Sequence, residues 1–221
     1  MAFDQDFETQ WLGKMMNGIA EIGKEDLFEN IIQIKQELSI PEWTRKLMDK
    51  MKDELTEDEI IKVMTGCACL APKDNLIPLR EEYSKTENIE LVHQMLQDLF
   101  EKFIKQYKNL DEEQMKFLRE NGWGMAGKLV GNTILATKIP KEFHKYFQEN
   151  DPQKKKYYYC HCPRIRDLFL QEDRPLDVNY CYCGAGFYKD IWEFILQKEV
   201  KVEVIKSLMK DDDVCRIAIF L

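Results

Sequence analysis

Two short segments of this 221-residue chain each carry a pair of cysteines separated by one residue. The segment YCHCP contains Cys160 and Cys162, and the segment YCYCG contains Cys181 and Cys183. If both segments are extended strands, the two cysteines of each pair point to the same face, because successive side chains of a strand alternate. Four thiols would then line one surface wherever the two strands are neighbours.

Such a surface could hold a metal ion, react as thiolate, or line a ligand pocket. Structural zinc sites usually use cysteines separated by two residues, since a tight turn brings both sulfurs to about 2.3 Å from the ion. Cysteines two positions apart on a strand start about 6.6 Å apart. A zinc or iron site made of these four thiolates would therefore need strand ends that curl at Pro163 and Gly184. Cys67, Cys69 or His161 could serve as an additional ligand. The alternative is that these cysteines are small buried hydrophobic residues.

The residues beside the cysteines suggest further chemistry. Cys162 and Cys183 are predicted to lie just before helix N-termini, where the positive end of the helix dipole favours thiolate. Arg164 and Arg166 are close enough in sequence to contact an anionic ligand, although solvation at the surface is the alternative. A cysteine-dependent hydrolase would also need a histidine base. His161 alternates away from the flanking cysteines, which weakens it as that base.

The elements that must position these residues fall into two regions. Residues 1–120 are predicted to be helical, because apolar residues recur at spacings of three and four in several segments. The clearest of these stripes is Val92, Leu96, Leu99 and Phe103, joined by Met95 and Phe100. Thr56 and Glu59 form a capping box that predicts a helix start.

The region 121–221 is predicted to be an α+β domain. The segments KKKYYYCHC and LDVNYCYC are interpreted as strands, each followed by a helix, in RIRDLFL and in FYKDIWEFILQ. The chain ends in a sequence that alternates twice around an acidic turn at residues 211–213, which predicts a β-hairpin. The alternation places Val200, Val202 and Val204 on one face of the first strand, and Cys215, Ile217, Ile219 and Leu221 on one face of the second. The sequence therefore predicts a helical N-terminal region docked on a C-terminal domain with an antiparallel sheet and packed helices.

A glycine-rich segment, GWGMAGKLVGN at residues 122–132, matches two phosphate-binding patterns by its letters alone. Both patterns need a preceding strand, whereas the preceding LDEEQMKFLREN is predicted to be a helix. Leu129 also stands where the second pattern needs a hydroxyl. We therefore interpret this segment as close packing, with Gly127 and Gly131 allowing another element to approach.

Composition excludes several classes of protein. The apolar and charged fractions are those of an ordinary globular chain, and no apolar run approaches the roughly 18 residues of a membrane-spanning helix. The net charge of −8 argues against a nucleic-acid partner. The acidic N-terminus is unlike a signal peptide, and an odd count of seven cysteines argues against a disulfide framework. We expect a cytoplasmic protein.

The order CPRIRDLF, YCYCGAGFYKDIWEFIL and VKVEVIKSLMKDDDVCRIAIFL resembles the C-terminal half of the 4-vinyl reductase-type small-molecule-binding domains and the aminothiazoline-carboxylate hydrolase-like proteins. The resemblance covers roughly residues 120–221. It implies an α+β ligand-binding fold with an apolar pocket between sheet and helices, and importance for Cys162, Cys183 and Cys215. Hydrolase-like members tend to have an aspartate shortly after the second cysteine, whereas here the first is Asp190, which puts hydrolysis in doubt.

The leading hypothesis is a small-molecule-binding protein, either a sensor or an enzyme-like relative, that binds its ligand in a cysteine-lined pocket. The candidate ligand-binding residues are Cys160, Cys162, Arg164, Arg166, Cys181 and Cys183. One alternative is a zinc or iron protein whose metal is held by those four cysteines, and the other is a cysteine-dependent hydrolase. The sequence leaves the oligomeric state and any catalysed reaction open.

Overall fold

The structure is a computed structural model that describes residues 5–33, 38–171 and 176–221. Its helices are α1 (Gln5–Ala20), α2 (Glu25–Gln33), α3 (Ile40–Glu54), α4 (Glu57–Gly66), α5 (Ile77–Thr86), α6 (Ile89–Lys108), α7 (Glu112–Glu120), α8 (Phe143–Gln148), α9 (Pro152–Tyr159) and α10 (Tyr182–Leu196). Its strands are β1 (Lys128–Val130), β2 (Thr133–Thr137), β3 (Lys201–Lys206) and β4 (Arg216–Phe220). Within the described residues seven α-helices precede the first strand, and the sheet is antiparallel, so the predicted α+β fold with a helical N-terminal region is confirmed.

Local polar signals fix where several helices begin. The Thr56 hydroxyl accepts a hydrogen bond from the Glu59 backbone N–H, and the Glu59 carboxylate accepts one from the Thr56 backbone N–H at 2.8 Å. This is the predicted capping box, and Ser39 with Glu42 forms another at the start of α3. Each box satisfies backbone N–H groups that the first helical turn leaves without a partner.

The sheet has the strand order β1-β2-β4-β3, and all neighbouring strands are antiparallel. β3 and β4 form the predicted hairpin, with Val202 opposite Ile219 and Val204 opposite Ile217. All four side chains are buried. The alternation in the sequence therefore predicts a buried face of β3, whereas in β4 Ala218, on the opposite face from Ile217 and Ile219, is buried as well.

The predicted apolar stripe of α6 is partly right. Val92, Leu96 and Phe100 are buried as predicted, and the buried line continues to Ile104, at steps of four residues. Phe103 was predicted to belong to the stripe, yet 57% of it is exposed. None of the helices in the described residues combines the length and the apolarity of a membrane-spanning segment.

Both segments that were predicted to be cysteine-bearing strands are helical instead. KKKYYYCHC lies mostly in α9, and LDVNYCYC passes through a 3-10 helix at Val178–Cys181 into α10. RIRDLFL forms a 3-10 helix, at Arg166–Leu170, where a helix was expected. The helix predicted in FYKDIWEFILQ is present as part of α10.

A helix cap explains why the tyrosine-rich segment is not a strand. The Asp151 carboxylate accepts hydrogen bonds from the backbone N–H groups of Gln153 and Lys154, both at 2.9 Å. Pro152 occupies the first helical turn, where its fixed φ suits a helix and its missing N–H costs nothing. These two residues start α9 despite the β-propensity of the tyrosines that follow.

The glycine-rich segment has a helix before it and a strand after it, so it lacks the strand–loop–helix context of a phosphate-binding loop. A Cβ at Gly127 would lie 2.8 Å from Ile134 Cγ2 and 2.8 Å from the Leu135 carbonyl oxygen. The close-packing interpretation is therefore right for Gly127. It is wrong for Gly131, which has no atom within 4 Å of its Cβ position and a φ of +58° in the turn between β1 and β2.

The chain divides into two compact units, each assembled from separated stretches of sequence. The first unit comprises Met1–Cys69, Pro140–Gly186 and Leu208–Asp211. The second unit comprises Leu70–Ile139, Phe187–Ser207 and Asp212–Leu221, and it contains the sheet. Neither unit begins or ends near residue 120, where the sequence suggested a boundary.

Candidate functional site

Arg164 lies in the core of the first unit, with 0% of its side chain exposed. Its guanidinium carbon is 4.0 Å from the centre of the Trp11 ring and 5.0 Å from that of Trp43. The guanidinium forms an ion pair with Glu8 and donates to the Thr44 hydroxyl at 3.1 Å. A charge enclosed in this way is held by cation–π and ionic contacts. Its contacts are therefore with the core, and a ligand in solvent would not reach it.

Arg166 is also largely buried, although the sequence suggested a ligand contact or a solvated surface position. Its guanidinium donates to the Glu142 carboxylate at 2.6 Å and to the Tyr157 carbonyl oxygen at 3.2 Å. It also lies 4.0 Å from the centre of the Tyr157 ring. These contacts tie the 3-10 helix after the first cysteine pair to α9 and to the start of α8.

The two cysteine motifs are neighbours through Cys162 and Tyr180. The Cys162 sulfur lies 3.5 Å from the Tyr180 hydroxyl oxygen. Tyr180 is buried, and its ring centre is 6.3 Å from that of Trp11. Burial raises the pKa of Tyr180 well above its ordinary value, and Cys162 acts in the same direction. The hydroxyl is therefore neutral at neutral pH and available as a hydrogen-bond donor.

Cys183 packs against the C-terminal end of α4. Its sulfur donates to the Cys67 carbonyl oxygen at 3.3 Å, which satisfies one of the carbonyls that a helix end leaves without a partner. Gly186, one turn further along α10, permits this approach, because a Cβ there would lie 2.8 Å from the Ala68 Cβ and closer still to the Thr65 carbonyl oxygen. Cys67, one of the two upstream cysteines, therefore lies beside the second motif.

The predicted thiolate character of Cys183 is wrong. Burial raises its pKa far above the ordinary value, and the neighbouring Cys162 and Cys67 thiols act in the same direction. Burial likewise raises the pKa of Cys67 to about 12. The free-energy cost of removing a Cys183 thiolate from water therefore exceeds the stabilisation that the helix dipole at the start of α10 would give it. Both residues are neutral thiols at neutral pH.

Cys160 and Cys181, the other members of the two motifs, are half-buried and pack against the same apolar core as Cys162 and Cys183. Cys160 is the capping residue that directly follows α9, and Cys181 is the last residue of a 3-10 helix. Within residues 5–33, 38–171 and 176–221, no group of three or more histidine, cysteine or acidic side chains is arranged to hold a metal ion. A zinc or iron site at the four motif cysteines stays a prediction.

A cavity of about 300 Å³ opens in the first unit beside this core. We call it the α3 cavity, and its lining residues are Arg45, Met48, Asp49, Lys52, Leu176, Asp177, Val178, Met209 and Lys210. The lining contains none of the six residues that the sequence singled out as ligand-binding. It shares two elements with the cysteine region, since α3 also carries Trp43 and the 3-10 helix that begins at Val178 also carries Tyr180.

Sequence reasoning missed this cavity, although part of its signal was present. The α3 residues that line it are spaced three or four positions apart, which places them on one helix face. The other lining residues come from two distant stretches, at 176–178 and at 209–210. Nothing in their local sequence predicts that these stretches meet α3.

Comparison with known proteins assigns no chemistry to the site. A family model described as a family of unknown function, DUF6144, matches residues 136–221, which is under half of the chain. The chain is similar to that family over this segment, from the end of β2 to the last strand. No curated protein and no solved structure matches the chain. The resemblance to 4-vinyl reductase-type domains stays a prediction.

Proposed function

We propose that this protein binds a small organic molecule in the α3 cavity. The observation that carries the proposal is the concave lining, in which four apolar side chains stand among five charged ones. Small-molecule sites are typically concave and largely apolar, with a few polar groups that fix the orientation of the ligand. The volume of about 300 Å³ lies at the lower end of the usual range for such sites.

The apolar part of the lining is well ordered by its own packing. Met48, Leu176 and Met209 are each at least 90% buried, and Met48 and Met209 belong to the core of the first unit. Val178 is the fourth apolar residue of the lining. Methionine side chains adapt their shape to what they contact, so they suit a surface that must fit a ligand. A cavity built on such a core needs little rearrangement before binding.

The cysteines support the site rather than line it in this proposal. Cys162 holds Tyr180 and Cys183 holds the end of α4, and both thiols act as packed side chains. A cysteine-dependent hydrolase would need a thiolate nucleophile, and burial disfavours one at Cys67 and Cys183. We also propose a reducing, cytoplasmic setting, which the odd number of seven cysteines supports, because a closed disulfide framework needs an even number.

Filling the cavity tests the proposal. Wild-type protein and the variant Val178→Trp would be screened by thermal unfolding against a library of small metabolites. A ligand at one hundred times its Kd stabilises by about 2.7 kcal/mol, which raises Tm by about 5–10 °C for a chain of this size. We expect compounds that raise the Tm of the wild type to lose this effect in the filled variant.

Val130→Trp is the matched control, because Val130 is 53% exposed in β1 and does not line the cavity. This control should respond to the same compounds as the wild type. If the compounds stabilise the Val178→Trp variant as strongly as the wild type, they bind elsewhere and the proposal is wrong.

A further inference from the structure

We infer that this protein forms a two-fold symmetric dimer in which the α6 helices of two copies pack antiparallel. The contact surface is the α6 ridge, which we define as Leu91, Met95, Leu99, Phe103 and Tyr107. This dimer goes beyond the proposed function and is independent of it, because α6 belongs to the second unit and the α3 cavity to the first. Two observations support it: the exposure of the ridge and the distribution of charge along α6.

The α6 ridge extends over almost the whole length of the helix. Its residues recur at steps of four, so their side chains form one continuous row on the helix surface. Leu91, Phe103 and Tyr107 are 40%, 57% and 68% exposed, and Met95 and Leu99 are half-buried. The rings of Phe103 and Tyr107 stack with their centres 5.3 Å apart. The ridge therefore presents apolar side chains to solvent along the helix.

The buried side of α6 is already used by the second unit. Gly124 lies so close to the Phe100 ring that there is no room for a Cβ. The His93 ring stacks on the Trp192 ring, with centres 6.4 Å apart. These contacts fix which side of α6 packs inward. Single exposed apolar residues are normal in a globular protein, but a row of them along one helix marks an interaction surface.

The charge along α6 changes sign near the middle of the helix. Residues 89–98 carry two carboxylates, Glu90 and Asp98, and no lysine or arginine. Residues 99–108 carry one carboxylate, Glu101, and three lysines, Lys102, Lys105 and Lys108. Glu101 forms an ion pair with Arg119 of α7, which offsets its negative charge. One half of α6 is therefore acidic, and the other half is basic.

The central charges, Asp98 and Lys102, are those that a second copy would meet. They lie one helical turn apart, and both are exposed. Asp98 accepts a hydrogen bond from the Gln94 side chain at 2.8 Å and lies in the field of Arg119, and neither interaction removes its negative charge. The helix dipole favours acids in the first turn and bases in the last. It therefore does not explain charges in the middle of a 20-residue helix.

An antiparallel arrangement matches both the ridge and the charges. A two-fold axis at Leu99 places Leu99 of one copy against Leu99 of the other, and Met95 against Phe103. The same axis places the acidic half of each α6 against the basic half of the other, whereas a parallel arrangement would bring like charges together. Rows at steps of four pack into each other at a crossing angle of about −50°. Leu91 and Tyr107 therefore lie at the ends of the contact.

The size of α6 sets the expected strength of the dimer. A helix of this length is about 30 Å long and about 10 Å wide. Its footprint is therefore well below the roughly 800 Å² per partner of a standard stable interface. We expect a weak dimer that dissociates at micromolar concentrations.

Sedimentation velocity over about a hundredfold range of protein concentration would measure the dimer. We expect the wild type to shift from monomer to dimer as the concentration rises. Phe103→Ser should weaken the dimer by about tenfold or more, because it removes an aromatic side chain from the contact. Val130→Ser changes an apolar residue that is also exposed in the second unit, on β1. It is the matched control and should dimerise like the wild type.

Charge reversal tests the antiparallel arrangement. Asp98→Lys and Lys102→Glu should each weaken self-association by about fivefold to tenfold, because the change acts at both symmetry-related contacts. An equimolar mixture of the two variants should recover a dimer of about wild-type strength, since a basic helix then meets an acidic one. Misfolding of either variant could not produce this recovery. Salt at about 1 M should abolish the recovery, because it screens charges beyond about 3 Å.

Three outcomes would overturn the inference. A wild type that stays monomeric over the whole concentration range would leave the ridge to a different partner. Loss of the dimer in Val130→Ser, or its persistence in Phe103→Ser, would place the contact away from the ridge. Unchanged self-association of Asp98→Lys and Lys102→Glu, or no recovery on mixing them, would exclude antiparallel pairing of α6. None of these outcomes bears on ligand binding in the α3 cavity.

Discussion

Replacing Gly186 by alanine should destabilise the first unit, because the added methyl group has no room. The Cβ would lie 2.8 Å from the Ala68 Cβ and 3.0 Å from the Thr65 carbonyl carbon, and closer still to the Thr65 carbonyl oxygen. Two of these three obstacles are backbone atoms, which cannot rotate away as a flexible side chain can. Relief therefore requires α10 and the end of α4 to move apart.

The magnitude follows from two opposing effects. Glycine in a helix interior is less favourable than alanine by about 1 kcal/mol, so the helix itself gains from the change. Overpacking a well-packed core costs about 1–3 kcal/mol, and the backbone obstacle argues for the upper end. The free energy of unfolding should therefore fall by about 2 kcal/mol, which lowers Tm by about 4–8 °C for a chain of this size.

Gly13→Ala is the matched control. Gly13 lies within α1 of the same unit, and its Cβ position has no atom within 4 Å. In this variant the higher helix propensity of alanine is not offset by a clash, so its free energy of unfolding should rise by about 1 kcal/mol. Urea denaturation followed by circular dichroism and by tryptophan fluorescence would measure both variants against the wild type.

The opposite order of stability would refute this reasoning. If Gly186→Ala is as stable as Gly13→Ala, the two helices do not approach as closely as the structure has them. A second readout is independent of stability. Separation of α10 from α4 should expose Cys183 and Cys67, so alkylation of both thiols should be faster in Gly186→Ala than in the wild type.

Three further predictions concern Arg164, the upstream cysteine pair and His93. Arg164→Met should lower the free energy of unfolding, measured by urea denaturation, by about 3–5 kcal/mol, because it leaves the buried carboxylate of Glu8 without its cation. A loss below about 1 kcal/mol would contradict this expectation. Brief alkylation at pH 7, mapped by mass spectrometry, should modify the exposed Cys69 well before Cys67, because burial raises the pKa of Cys67 to about 12. Equal rates of modification at the two cysteines would contradict the burial of Cys67. Burial lowers the pKa of His93, so the unfolded state binds the proton more readily and stability should fall as pH drops below about 6.5. The decrease in Tm from pH 8 to pH 5 should therefore be smaller in His93→Gln than in the wild type. An identical decrease in the variant and the wild type would exclude a role for His93.

The parts of the fold that the sequence predicted are those with local signals. The capping box at Thr56 and the alternation of Val202 and Val204 depend on residues a few positions apart, and the structure has both as expected. The strand interpretation of the tyrosine-rich segment failed, although a local signal was available there as well. Asp151 followed by Pro152 is a helix start, and it should have been weighed above the β-propensity of the next residues.

The candidate site was predicted less well, because it depends on contacts between distant residues. Arg164 is buried since it meets Glu8, which lies 156 positions earlier in the chain. A single sequence gives no sign of that pairing, so a surface position was the natural expectation for an arginine. The α3 cavity likewise requires three separated stretches to meet. The proximity of the two cysteine motifs was anticipated, but on the assumption of strands.

The discontinuous composition of the two units also constrains how the protein can be made. The first unit draws on Met1–Cys69 and on Pro140–Gly186, so a ribosome must translate most of the chain before the early helices meet their partners. The second unit is complete only once the closing hairpin has been synthesised. Closing such long loops slows folding and leaves apolar helix faces uncovered on the nascent chain. The segment 136–221, which matches the family model, contains parts of both units and the whole of neither.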